Sequence, residues 1–141
     1  MTLGESVRTC LAKYVTWKGR ASRSEYWWFV LATFLASVAA IMLDMAIGTA
    51  SSSTDPLTGQ TAPGLFGIFY IVVALGTFLP SLSAMVRRLH DTNRSGWWYW
   101  IALVPFVGMV VLLVFLCSRG TAGPNRFGHD PLEGDLDATF A

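Results

Sequence analysis

The sequence predicts an all-α integral membrane protein with three transmembrane helices and an N-terminal amphipathic interfacial helix. Three observations carry that expectation. Of 141 residues, 53% are hydrophobic and only 13% charged, where soluble domains carry about 25% charged residues. Three apolar runs reach the roughly 20 residues that a bilayer requires: Tyr26 to Gly48, Leu65 to Val86 and Trp97 to Cys117. None contains Lys or Arg, and Asp44 is the one acid within them. A small soluble domain has much surface for its volume and needs polar residues to cover it. This chain lacks them, which argues against a soluble enzyme, a disordered chain and a nucleic-acid-binding domain.

The chain reads as one membrane domain over residues 1–141, whose elements follow in order. In residues 1–25, Leu3, Val7, Cys10, Leu11, Tyr14 and Val15 recur at helical spacing, opposite Glu5, Arg8, Thr9, Ala12, Lys13 and Thr16. Such a helix lies flat on the cytoplasmic membrane surface. Ser22 or Ser24 caps the first span (26–48), with Glu25 in its first turn. Tyr26, Trp27 and Trp28 then sit at headgroup depth. That span starts too late and runs too long for a signal peptide. Asp44 lies close enough to its outer end to reach water. The loop Thr49 to Gly64 is external. In the second span (65–86), Pro80 predicts a kink, and Gly67, Ala74 and Gly76 permit close helix packing. The third run (97–117) is interrupted by Pro105 and Gly108. Its length favours a full crossing, each half alone being too short; a re-entrant hairpin is the alternative. Residues 118–141 form a polar tail.

Orientation follows the rule that basic loops stay cytoplasmic. Arg8, Lys13, Lys18, Arg20 and Arg23 precede the first span, and Arg87, Arg88 and Arg94 lie between the second and third. The loop from Thr49 to Gly64 has no Lys or Arg, and the tail has Arg119 and Arg126. Three crossings therefore place eight basic residues inside and two outside, with the N-terminus cytoplasmic. A hairpin would place all ten inside.

Three clusters could carry chemistry. Around Gly19-Arg20-Ala21-Ser22-Arg23-Ser24-Glu25, the arginines could bind lipid phosphates. In the segment Arg87 to Trp100, Asp91 is expected to pair with an arginine of its own loop, or with Arg20 or Arg23. His90 beside Asp91 could act as a general base or respond to pH, but no activated nucleophile accompanies it. The third cluster runs from Gly120 to Pro131. Pairing His90-Asp91 with His129-Asp130 would suggest a metal, yet three crossings put the two pairs on opposite faces. Cys10 and Cys117 make neither a disulfide framework nor a zinc signature. The reading assigns no catalytic residue, no metal and no cofactor. The candidate residues for ligand or partner binding are Arg20, Arg23, Glu25, Arg87, Arg88, His90, Asp91 and Arg94, expected as a basic rim at headgroup depth.

These clusters, in this order, resemble a family of small bacterial inner-membrane proteins, the YhaH-like proteins of domain of unknown function 805. The matching pieces are Gly19-Arg20-Ala21 with Arg23, Glu25, Tyr26 and Trp27, then Arg87-Arg88-Leu89-His90-Asp91-Thr92, Arg94-Ser95 and Trp97-Trp98. The rest are Pro105, Gly108, Gly120-Thr121, Gly123, Asn125-Arg126-Phe127-Gly128 and Asp130-Pro131, with Asp44 matching an acid of family relatives. Where the family often has proline, this chain has His129. The resemblance implies a bacterial inner membrane and no known cofactor, and supplies no activity. The expected function is therefore non-catalytic, acting through membrane lipids or a protein partner at the cytoplasmic face and not through nucleic acid. An oligomeric transport or channel subunit is the alternative, built as a homo-oligomer because three helices enclose little pore; a membrane enzyme acting on lipid ranks third.

Overall fold

Helix α1 (Leu3–Ala12) begins at a capping box. The Glu5 N–H donates to Thr2 Oγ1 and the Thr2 N–H to Glu5 Oε2 at 2.7 Å, so two orphan donors are satisfied reciprocally. The computed structural model describes residues 1–51, 53–54, 56–59, 61–62 and 67–132. Further along the chain come α2 (Arg23–Ser51), an antiparallel ribbon of β1 (Ser53–Thr54) and β2 (Thr61–Ala62), and α3 (Ile68–Asp91). A 3₁₀-helix (Gly96–Leu103) and α4 (Val107–Cys117) complete the described elements. Parts of the predicted outer loop, the start of the second predicted span at Leu65, and tail residues 133–141 lie outside the described residues.

At 1.5 Å per residue, α2 and α3 are about 44 Å and 36 Å long, enough for a hydrocarbon core of about 30 Å. They are the two described helices long and apolar enough to cross it. Helix α3 continues past the predicted end of its span at Val86 through Arg87-Arg88-Leu89-His90-Asp91. Arg88 lies in its last turn, where a cation complements the helix dipole. The predicted loop is thus shorter. It opens with Asn93 at φ 58°, the Asn93 N–H bonding His90 O and the Arg94 N–H bonding Leu89 O, both at 3.0 Å. This is a left-handed C-terminal cap in which Asn takes the position that usually needs glycine.

The third apolar run forms a helical hairpin instead of one continuous helix, the alternative that Pro105 and Gly108 left open. Pro105 has no N–H and pushes the residue before it into extended backbone; Val104 ends the 3₁₀-helix at ψ 112°. Phe106 turns the chain at φ 60°. Gly108 sits against the first arm so closely that a Cβ would stand 1.7 Å from Ile101 O. At the open end, the Trp98 and Phe115 rings meet edge-to-face at 5.4 Å. One continuous helix would separate those residues by about 25 Å. Each arm is about 16 Å long, half the hydrocarbon thickness.

The described chain forms two units. The first, residues 1–30 and 79–141, holds a core of Cys10, Tyr26, Phe29, Ala84, Leu89, Leu112 and Leu116. In it α1 departs from its predicted faces. Ser6 and Cys10 are buried, while Leu3 and Leu11, and Val15 just beyond the helix, are exposed, so one side meets the rest of the unit and an adjacent apolar side stays open. Ser83 Oγ fastens the segment after α1, in contact with the carbonyls of Lys13 (3.1 Å) and Thr16 (2.8 Å). In the second unit, residues 31–78, Asp44 is only 5% exposed. Its carboxylate accepts the N–H groups of Phe69 (3.0 Å) and Tyr70 (2.8 Å). The acid in the apolar span is the cap for the first turn of α3, supplied by another helix.

Candidate functional site

The site is assembled where α2 begins, where α3 ends, and where the tail leaves α4. Ser22 is the residue that caps α2, accepting the Glu25 N–H at 3.2 Å, and this fixes Arg20 and Glu25 on either side of it. The rim of available cations expected here is not what forms. The side chains of Arg20, Arg87 and Arg88 are 1%, 1% and 0% exposed. Sequence alone treats a run of arginines beside a span as solvated; here other parts of the chain supply their partners.

Asp91 pairs as expected, and with two arginines. Arg20 Nε donates to Asp91 Oδ1 at 2.9 Å, and Arg88 Nη1 donates to Oδ2. The remaining guanidinium donors go to main-chain carbonyls. Arg20 reaches Thr121 O (2.5 Å) and Gly123 O (2.6 Å), with the Asp130 carboxylate 4.0 Å away. Arg88 reaches Leu116 O (3.0 Å), Ser118 O and Ala21 O (3.3 Å). It thereby takes up carbonyls at the C-terminus of α4 that no helical N–H can satisfy. Burying such charges costs several kcal/mol each, and only full pairing and hydrogen bonding offset it. Gly120 lets the tail pass over this group: a Cβ there would lie 2.1 Å from Asp91 Oδ2.

Arg87 points elsewhere. Its Nη1 donates to Glu25 Oε1 at 2.5 Å, and Cys10 Sγ lies 3.7 Å from Nη2 and 3.8 Å from Glu25 Oε1. Burial, then the Glu25 charge, push the Cys10 thiol up, so it stays protonated near neutral pH. Arg87 Nε is buried and has no partner among the described residues.

His90 is not oriented by Asp91. Consecutive helical residues point about 100° apart, and the carboxylate faces the arginines. The imidazole instead stacks on Phe127, centroids 4.0 Å apart and ring planes nearly parallel, with Nδ1 donating to Gly19 O at 3.2 Å. Arg94 lies over the Phe115 ring at 3.9 Å. The tail closes the end of α3: the Thr121 N–H and Oγ1 donate to Asp91 O, and Asn125 Nδ2 to His90 O. The two His-Asp pairs, expected on opposite faces, both belong to this unit. Yet no three His, Cys, Asp or Glu side chains converge among the described residues.

Of the predicted binding residues, Arg23 stays exposed and makes no hydrogen bond or ion pair among the described residues. It lines a cavity of about 220 Å³ together with Arg119. Arg119 was not a predicted site residue, because a full crossing would have carried it to the other face. The signal that finds it is the charge count, ten to none for a hairpin against eight to two for a crossing.

Comparison with known proteins follows the same pattern. The family described as protein of unknown function, DUF805, matches residues 14–129. Inner membrane protein YhaH of Escherichia coli (strain K12) is 40% identical over 121 residues, 86% of this chain and 91% of that protein. Inner membrane protein YhaI of the same strain is 42% identical over 124 residues, 88% and 92% of the two chains. No solved structure matches. A predominantly helical membrane protein with this motif order over this length belongs to the DUF805 family of inner-membrane proteins.

Proposed function

We propose that the chain is a non-catalytic, multi-pass inner-membrane protein that holds its polar unit at the cytoplasmic face and engages anionic lipid headgroups there. One observation carries this reading. All ten Lys and Arg residues fall in the first unit, and the second has none. The rule for basic segments then assigns that unit to the cytoplasm, with both chain ends inside and residues 97–117 entering and leaving by the same face. Cations at an anionic leaflet each add about 1 kcal/mol of attraction. The buried arginines build the unit; the exposed cations, Arg8, Lys13, Lys18, Arg23, Arg119 and Arg126, are left to meet the surface.

A reporter active only in the cytoplasm tests this orientation. Fused before Met1, inserted at Asn93 or fused after Ala141, it is expected to be active; inserted at Ser52, it is expected to be silent. Silence after Ala141 with activity at Asn93 restores the full crossing. Purification in native lipid tests the rest. Enrichment of anionic over zwitterionic lipid supports the headgroup reading, and a stoichiometric protein companion without such enrichment replaces it with a partner-binding role.

A further inference from the structure

We infer that the cavity between the start of α2 and the end of α4 is a binding site for the phosphate of an anionic phospholipid headgroup, held by Arg23 and Arg119. The proposal deepens the headgroup reading above and rests on it. The cavity measures about 220 Å³, some seven times the volume share of a water, which suits a phosphate with a small polar substituent. Ser22 and Thr121 also line it. Five charged side chains line it: Arg23, Arg88, Arg119, Asp91 and Asp130.

Three of the five are already committed. Arg88 and Asp91 bond each other, and Asp91 also takes Arg20. The Asp130 carboxylate accepts the N–H groups of Gly123 (3.1 Å) and Leu132 (3.0 Å). Arg23 and Arg119 are exposed and unpaired among the described residues, so the wall carries two unspent cations beside acids whose oxygens are already hydrogen-bonded. A guanidinium fork matches phosphate oxygens in shape and charge.

The depth of the two arginines selects a lipid over a free anion. Arg23 is the first residue of α2, one turn before the half-exposed rings of Trp27 and Trp28, and such rings sit at headgroup level. Arg119 stands two residues beyond Cys117, the last residue of α4. Both therefore stand where an apolar segment meets water. Neither helps hold the fold, so both can be replaced without dismantling the unit.

The test uses the full chain in detergent micelles, titrated with short-chain phosphatidylglycerol, short-chain phosphatidylcholine and inorganic phosphate. Wild type is expected to bind phosphatidylglycerol in preference to phosphatidylcholine, and R8Q/K18Q, which removes two cations outside the cavity, is expected to weaken that binding less than R23Q/R119Q does; an equal loss overturns the site in favour of a diffuse basic surface. R23Q/R119Q is expected to bind phosphatidylglycerol about thirtyfold more weakly, about fivefold for each charge, with an unchanged melting temperature in the absence of lipid. The single variants carry the same test should the double variant melt early. Wild-type affinity in R23Q/R119Q overturns the site while leaving the headgroup reading intact. No preference for phosphatidylglycerol in the wild type overturns both. Inorganic phosphate binding as tightly as phosphatidylglycerol overturns the lipid assignment in favour of a free anion.

Discussion

Asp91 holds one negative charge between two guanidinium groups, and each of its oxygens serves one of them. Asp91→Asn keeps one acceptor and turns an amide N–H₂ toward the other arginine, donor against donor. With both partners buried, the loss belongs to the range for breaking a shielded pair, about 3–5 kcal/mol. His90→Gln removes a ring stack and one hydrogen bond and is expected to cost about 1 kcal/mol. Denaturation midpoints in detergent should rank the two variants in that order; a larger loss for His90→Gln would contradict the geometry. The pairing of Asp91 was legible, since an acid among arginines in a tight segment has few alternatives. The burial of Arg20, Arg87 and Arg88 was not. Their partners are main-chain carbonyls at Leu116, Ser118, Thr121 and Gly123, and no side-chain pattern announces a carbonyl.

Elements were legible where length and apolarity decide, and less so where one residue redirects the chain. The first two spans appear as α2 and α3, with ends moved by caps: Ser22 starts α2 early, and α3 runs on through Asp91 to the cap at Asn93. The hairpin turned on Pro105, Phe106 and Gly108, against a run length that also suited one crossing. Asp44 shows the reverse limit, because its role depends on a helix that starts 24 residues later. As the cap of α3, Asp44→Ala would leave the Phe69 and Tyr70 N–H groups unpaired and cost about 2 kcal/mol. Asp44→Asn, retaining one acceptor oxygen, should cost about half. Amide exchange at Phe69 and Tyr70 checks this: faster exchange in the alanine variant is expected, and unchanged exchange would remove Asp44 from the capping role.

Across the whole molecule, charge separates the two units more sharply than any single motif does, and this was already present in the sequence. It needed the hairpin to become interpretable, since one extra crossing splits the ten cations across the membrane. The first unit is also held by its most distant parts. Arg20 bonds carbonyls 101 and 103 residues further on. A chain ending at Cys117 should therefore lose more stability than one ending at Leu132. Limited proteolysis in membranes is expected to cut the shorter chain near Arg20 and to spare the longer one; equal resistance would show that the tail does not brace the unit. The same long reach orders events during synthesis, which runs from the N-terminus. Arg20 emerges long before the carbonyls that will accept its hydrogen bonds, and in that interval its charge must be solvated by water or lipid. The unit can close only once the ribosome has passed Gly123. Closure therefore marks progress along the message, and a product cut short before that point is left with an open seam for quality-control proteases to find.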